Sequence, residues 1–377
     1  MTVAGVACIC VSARIHLQKL SSKYQHVKCF HHQCCARRNF VSQEKPNSGQ
    51  INVTLTGLVS VSRRHFHKTQ RRCLAQVIDG RSISAEVHNE VKADLQTLVT
   101  ERGRPPSLSV ILVGEDPASQ IYVRNKVKAA SLTGIQSEEV KLPASVSQTD
   151  LLTTIQHLNL RTEVDAILVQ LPLPPHIEER VVCDAVTQSK DVDGFHVVHM
   201  GRLLSDVDTI LPCTPAAVLE ILRRTGIETC GKKVTLVGRS KHVCLPLAIL
   251  LQADRSKLPT GGDATVTICH RNTPQELLTQ STQSADIIIS GTGIPRLITG
   301  DMVKEGVAVI DVGFSMSYNH DTGKSKLVGD VDFEGVSQKA TYITPVPGGV
   351  GPVTVAMLMK NTLRLARGDF RTLPVYM

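Results

Sequence analysis

Val234-Thr235-Leu236-Val237-Gly238-Arg239-Ser240-Lys241-His242-Val243 passes from an apolar run through one glycine into a polar turn, and an apolar helix begins near Leu245. A tight strand-to-helix turn of this kind exposes backbone N–H groups at a helix N-terminus, where those donors and the helix dipole stabilise a phosphate. Only one glycine of the usual three-glycine fingerprint is present. Taken alone, the segment is either a dinucleotide turn or an ordinary connection.

Working outward, Ala264 to Ile268, Asp286 to Ser290 and Val307 to Val312 are short, apolar runs like Val234 to Val237. Such runs are expected of strands buried on both faces, and the helical segments between them make a doubly wound parallel sheet of Rossmann type. The second strand runs into His270-Arg271, not into the acid that would bind an adenosine ribose. A cation there suits the 2′-phosphate of NADP or a separate anion. Asp263, at the start of that strand, is either a plain ion-pair partner of a nearby arginine or a holder of a cation beside the anion; spacing alone favours the pair.

Upstream, the pattern predicts helices over Ser82 to Glu101, Ser119 to Leu132 and Leu151 to Leu158, with strands at Leu108 to Val113 and Ala166 to Gln170. The fold class is therefore α/β, with two α/β domains flanking a cleft. The division expected is a leader at 1–72, a catalytic domain at 73–215, a dinucleotide-binding domain at 216–345, and a glycine-rich loop with a final helix at 346–377.

The formal charge of +8 is uneven: Met1 to Arg72 holds 12 Lys and Arg against the single acid Glu44, leaving −3 on the remainder. A basic, acid-poor leader has the composition of a mitochondrial import signal, the alternative being a basic tail that binds nucleic acid. The near-neutral body gives no reason to expect a nucleic-acid partner. No apolar run approaches the roughly 20 residues of a membrane span. Cys73, Cys183, Cys213, Cys230, Cys244 and Cys269 are single and widely separated, which matches neither a disulfide framework nor paired zinc ligands. Cys29, His31, His32, Cys34 and Cys35 lack the two separated pairs of a usual zinc site.

Tyr122 and Lys126 stand four apart in a predicted helix, so both side chains leave one face. A ring beside an amine is a platform for a flat heterocycle with a proton-shuttling group, although the same spacing arises through solvation alone. Gln170 ends a buried-type strand, and Lys190-Asp191-Val192-Asp193-Gly194-Phe195 sets acids around a turn glycine. A Gln and an Asp at such places could tune a lysine, or be a strand-end amide and a surface turn. Pro345-Val346-Pro347-Gly348-Gly349-Val350-Gly351-Pro352 is a rigid loop without bulky side chains, suited to close approach of a ligand or to a structural crossover.

Together these segments resemble the bifunctional methylenetetrahydrofolate dehydrogenase/methenyltetrahydrofolate cyclohydrolase family from about Ala75 to Arg367. The resemblance implies that Lys126 is the catalytic lysine, tuned by Gln170, with Tyr122 stacking on the folate and Asp193 anchoring the pterin. It puts Val123, Arg124, Asn125, Val169, Leu171, Pro347, Gly348, Gly349, Val350 and Gly351 on the folate side. Thr214, Gly238, Arg239, Ser240, Arg271, Gly293, Ile294, Phe314 and Thr354 fall on the dinucleotide side. Gly261 to Thr267 and His270-Arg271 look like the mitochondrial branch that prefers NAD, with NADP possible, and uses Mg²⁺ and inorganic phosphate. The resemblance thus implies phosphate held by Arg239 and Arg271 with Mg²⁺ at Asp263, and also a homodimer acting on tetrahydrofolate one-carbon derivatives.

Cys244 replaces a usual glycine, and Phe314-Ser315 a usual Ile-Asn, both beside the expected cofactor. A family member that binds folate but has lost dehydrogenase activity is therefore a second hypothesis. A Rossmann oxidoreductase acting on a small acid is a third, opposed by the proline-bounded Gln170 motif.

Overall fold

Which residues fold where is set first by caps. Asp79 accepts from the amides of Arg81 (2.9 Å) and Ser82 (3.2 Å), and Asp116 from that of Ser119 (2.7 Å), satisfying donors that the first turn of each following helix leaves free. The computed structural model describes residues 74–319 and 324–369. The basic leader, with the Cys29 to Cys35 cluster, lies outside them.

The first half comprises β1 (Gln76–Val77), α1 (Gly80–Arg102), β2 (Ser107–Val113), α2 (Pro117–Thr133), β3 (Gln136–Leu142), α3 (Gln148–Leu160), β4 (Ala166–Val169), α4 (Glu179–Ala185) and α5 (Val197–Leu204). Then come α6 (Cys213–Thr225), β5 (Lys233–Val237), α7 (Cys244–Gln252), β6 (Thr265–Cys269), α8 (Gln275–Ser284), β7 (Ile287–Ser290) and β8 (Ala308–Asp311). The chain ends with β9 (Ser315–Asn319), β10 (Lys324–Val328), α9 (Phe333–Ser337), β11 (Tyr342–Ile343) and α10 (Val350–Arg367).

A parallel sheet in the order β3-β2-β4 carries the first half, and a parallel sheet in the order β1-β11-β8-β7-β5-β6 the second. Strands β9 and β10 form a separate antiparallel hairpin. The α/β class and the doubly wound sheet are as the sequence pattern predicts. Strands β7 and β8 are buried throughout. Strand β6 departs from the expectation of burial on both faces: it ends the sheet, paired only with β5, and Ile268 is 37% exposed.

Two connections override a division by sequence. Strand β1 is an edge of the second sheet, pairing Gln76 with Tyr342. Helix α10 packs against α1, α6 and α2, so the last segment completes the core beneath the first sheet. Start and finish of the described chain are thereby exchanged between the halves.

Candidate active site

Strand β2 lies between β3 and β4, and its register pairs Ile111 with Val169. Gln170 therefore leaves the sheet beside the turn that opens α2. Lys126 Nζ donates to Gln170 Oε1 at 2.9 Å, and Gln170 Nε2 donates to the Leu171 carbonyl at 2.6 Å. With its oxygen accepting from the amine and its nitrogen donating to a carbonyl, the orientation of the amide is fixed. Burial lowers the proton affinity of Lys126, opposed by the nearby Asp193 carboxylate and the Cys213 sulfur. Asp193 shifts the other way, upward through burial, with Lys126 pulling it back.

The Asp193 loop is built by its neighbours. Asp191, 4% exposed, accepts from the amides of Gly194 (3.1 Å) and His196 (2.7 Å), and burial pushes its carboxyl up to about 7. Gly194 has φ +68, and a Cβ there would lie 2.5 Å from the Ile210 carbonyl, so no side chain fits. Asn361, from α10, donates to the carbonyls of Val192 (3.0 Å) and Leu211 (2.9 Å). Lys190 instead donates to three carbonyls at the end of α3. The Lys190 to Phe195 segment thus has one residue facing the lysine and two that hold the loop.

Tyr122 is half-buried, which raises the proton affinity of its phenolate. Its ring meets that of Phe314, with centroids 5.4 Å apart and planes at 57°. Arg124 and Asn125 are exposed, whereas Val123 is 1% exposed and turned into the core. Its side chain belongs to the core cluster. Val169 is buried and Leu171 half-buried beside Gln170. Gly349 precedes α10, and the start of α1 presses on it so closely that a Cβ on Gly80 would fall 1.8 Å from the Gly349 carbonyl oxygen. Pro347, Gly348, Val350 and Gly351 flank that contact, and Thr354 lies in the first turn of α10.

On the second sheet, Gly238 (φ +132) follows β5, and its amide donates to the Cys269 carbonyl. Ser240 Oγ accepts from the Cys244 amide at 3.2 Å, ordering the turn into α7. Cys244 is 2% exposed, and its sulfur would lie 2.7 Å from a Cβ on Gly238. It fills the space beneath the turn rather than its exposed side. Arg239 and Arg271 leave adjacent strand ends and are both exposed. Gly293 and Ile294 follow β7, Phe314 follows β8, and Thr214 begins α6.

Asp263 does not join the two arginines. It precedes β6, whereas Arg239 and Arg271 follow the far ends of β5 and β6, so a full strand separates them. There it accepts from the Arg255 amide at 3.1 Å, with the Arg255 guanidinium 3.8 Å away. The expectation of a Mg²⁺ ligand beside Arg239 and Arg271 is corrected: Asp263 is an ion-pair partner of Arg255. Among the described residues no three His, Cys, Asp or Glu side chains group as a metal site.

The sequence reading missed Cys213, whose thiol burial pushes well upward, and Asn361. It also missed Phe195 against His242, with ring centroids 4.1 Å apart. Asn361 had a signal, an amide at a helical position in line with the apolar Met357, Leu358 and Leu365.

A lysine buried against an amide and a carboxylate, in a chain that also carries a doubly wound sheet with a phosphate-type turn, has the parts of a dinucleotide-dependent enzyme with a proton-transferring amine. Residues 78–193 match the tetrahydrofolate dehydrogenase/cyclohydrolase catalytic domain, and residues 212–370 match its NAD(P)-binding domain. The chain belongs to the tetrahydrofolate dehydrogenase/cyclohydrolase family. It is 54% identical over 304 residues to the mitochondrial bifunctional methylenetetrahydrofolate dehydrogenase/cyclohydrolase of Gallus gallus, covering 81% of this chain and 90% of that one. It is 53% identical to the mitochondrial bifunctional methylenetetrahydrofolate dehydrogenase/cyclohydrolase 2 of Homo sapiens, covering 81% and 88%. The solved 5,10-methylenetetrahydrofolate dehydrogenase of the silkworm Bombyx mori superposes with a TM-score of 0.74 at 46% identity, covering 78% of this chain and 99% of that one. The Trypanosoma brucei N5,N10-methylenetetrahydrofolate dehydrogenase-cyclohydrolase, solved with NADP and an inhibitor, gives 0.74 at 40%, covering 80% and 100%.

Proposed function

We infer that the chain oxidises 5,10-methylenetetrahydrofolate to 5,10-methenyltetrahydrofolate with a nicotinamide dinucleotide and hydrolyses the product to 10-formyltetrahydrofolate, within one-carbon metabolism. The observation that carries this reading is the 2.9 Å bond from Lys126 to Gln170, with Asp193 beside the same amine.

A bound nicotinamide supplies the hydride acceptor for the first reaction, and the protein's part is to hold two flat partners face to face. Tyr122 stacks on the folate and Asp193 anchors its pterin, leaving Lys126 at the one-carbon bridge. In the second reaction water adds to the methenyl carbon and loses a proton; the bond to one ring nitrogen then breaks as that nitrogen gains a proton and the hydroxyl gives up its own to become the formyl carbonyl, releasing one proton overall. Lys126, its proton affinity lowered by burial, carries those protons, and Gln170 holds the amine in place. The glycine loop from Pro347 to Gly351 lines the folate side.

Gly238 and Ser240 at the turn, with Gly293, Ile294, Phe314, Thr214 and Thr354, bind the dinucleotide. Arg239 and Arg271 hold a phosphate, either the 2′-phosphate of NADP or inorganic phosphate beside NAD. Asp263, paired with Arg255, is not placed to hold Mg²⁺ at that phosphate. Cys244 lies beneath the turn, so its position does not favour a member lacking dehydrogenase activity.

The acid-poor leader, and relatives named as mitochondrial, support import into mitochondria. The exposed edge strand β6 supports a homodimer formed by strand addition. No helix among the described residues is long and apolar enough to cross a membrane.

The test is formation of methenyl-folate absorbance with NAD and with NADP, each with and without Mg²⁺ and phosphate. Turnover with NAD that phosphate stimulates is expected, and its loss in Arg271→Ala. A chain that turns over neither dinucleotide would overturn the dehydrogenase reading.

A further inference from the structure

Two carboxyl groups at the carboxyl ends of β7 and β8 take no part in the chemistry above. Asp311 is 3% exposed and Asp330 wholly buried. Asp311 Oδ1 accepts from the amides of Gly313 and Asp330, both at 3.1 Å, and its Oδ2 from that of Val331 at 3.0 Å. Asp330 Oδ2 accepts from Ser290 Oγ (2.9 Å), from the Thr292 amide (2.6 Å) and from Thr292 Oγ1 (2.9 Å). Asp330 Oδ1 is buried without a hydrogen-bond partner.

The clasp is reciprocal. A Cβ on Gly313 would fall 2.0 Å from the Asp330 carboxyl, and one on Gly329 would fall 1.9 Å from Asp311 Oδ2. Each carboxyl therefore occupies the space over a glycine in the other's segment. Burying two acids side by side is costly, and burial together with the adjacent Asp330 pushes the Asp311 carboxyl up to about 7. A fold needs no such pair to close two loops; apolar packing would do so at lower cost. What the pair holds are the loops after β7 and β8, at the sheet end where doubly wound folds bind ligands.

We propose that Asp330, clasped by Asp311, is a positioning residue for hydride transfer, fixing the Thr292-Gly293 and Gly313-Phe314 backbones against which the nicotinamide half of the dinucleotide lies. The proposal rests on the dinucleotide reading given above. Asp330 acts through these loops and has no bond to Lys126 or Gln170, so the cyclohydrolase kcat at saturating folate, a reaction that consumes no dinucleotide, serves as an internal control.

The experiment compares the full chain with Asp330→Ala and Asp330→Asn. It reads dehydrogenase KM and kcat with NAD and NADP, and turnover of 5,10-methenyltetrahydrofolate without dinucleotide. Asp330→Ala is expected to raise the dinucleotide KM about tenfold or more, the scale of losing the hydrogen bonds that hold Ser290 and Thr292. Cyclohydrolase kcat, read at saturating folate, should stay within about twofold, because Asp330 bonds to Ser290 and Thr292 and not to Lys126, Gln170 or Asp193; the folate KM is left out of the control, since Phe314 meets Tyr122. Asp330→Asn, which keeps an acceptor for Thr292, should recover most of the loss. A dinucleotide KM that does not move, or both activities falling in proportion, overturns the proposal. Should Asp330→Ala not fold, Thr292→Val decides by the same split: a raised dinucleotide KM with retained cyclohydrolase turnover supports it, and an unchanged KM overturns it. An unsubstituted chain without dinucleotide turnover removes the underlying reading and the proposal together, whereas an active one with an unmoved KM removes the positioning role alone.

Discussion

The rings of Tyr122 and Phe314 meet at 5.4 Å across the two halves of the chain, one from α2 and the other from the loop after β8. The residue proposed to stack on folate is thus braced by one from the dinucleotide side. We predict that Phe314→Ala raises the folate KM of the cyclohydrolase reaction about twofold to tenfold, the worth of one tilted aromatic pair. An unchanged KM would show the contact to be idle.

Lys126 stands at the centre of the proposed chemistry. We predict that Lys126→Ala lowers cyclohydrolase turnover by about 10² to 10⁴, the usual share of a general acid or base, while its circular dichroism matches that of the parent. Retained turnover in a folded variant would dismiss the assignment.

The pH dependence has a definite sign. Burial lowers the proton affinity of Lys126 and Asp193 partly restores it. Replacing that carboxylate in Asp193→Asn removes a contribution favouring the charged amine, so the rising limb of cyclohydrolase kcat, read at saturating folate, is predicted to move to lower pH. A shift to higher pH would contradict the electrostatics.

Stability offers a separate check through Asp191, whose carboxyl is pushed up to about 7 by burial. An acid of raised folded pKa binds more protons folded than unfolded between the ordinary value of about 4 and that raised value. Its stabilisation is greatest below this window and is lost as pH rises through it. We predict that the Tm of the parent, relative to Asp191→Asn, falls as pH rises from about 5 through about 7. A pH-independent difference would exclude the shift.

At the dinucleotide turn, Gly238→Ala should abolish NAD-dependent turnover and cost about 1–3 kcal/mol of stability, since φ +132 and the Cys244 sulfur both oppose a side chain. Dehydrogenase assay and chemical denaturation read the two effects.

The parallel sheets were legible because β2, β7 and β8 are nearly all apolar and sit where burial demands it. Strand β3, Gln136-Ser137-Glu138-Glu139-Val140-Lys141-Leu142, was not, because an edge strand can keep polar residues and satisfy only one side. The pair Tyr122 and Lys126 follows from helical spacing, but the partners of Lys126 come from β4 and the Asp193 loop, distant in sequence. Asp263 shows the opposite failure. Spacing alone favours an ion pair there, and it is the family resemblance that implies a site shared with Arg271, yet an extended strand carries the two to opposite ends of the sheet.

The pairing of Gln76 with Tyr342 bears on how the molecule is made. During synthesis β1 leaves the ribosome early, but its neighbour β11 arrives only when the chain is almost finished, and α10, which completes the core under the first sheet, later still. Neither half can close on its own schedule, so the surroundings of Lys126 are completed only when the C-terminal helix arrives.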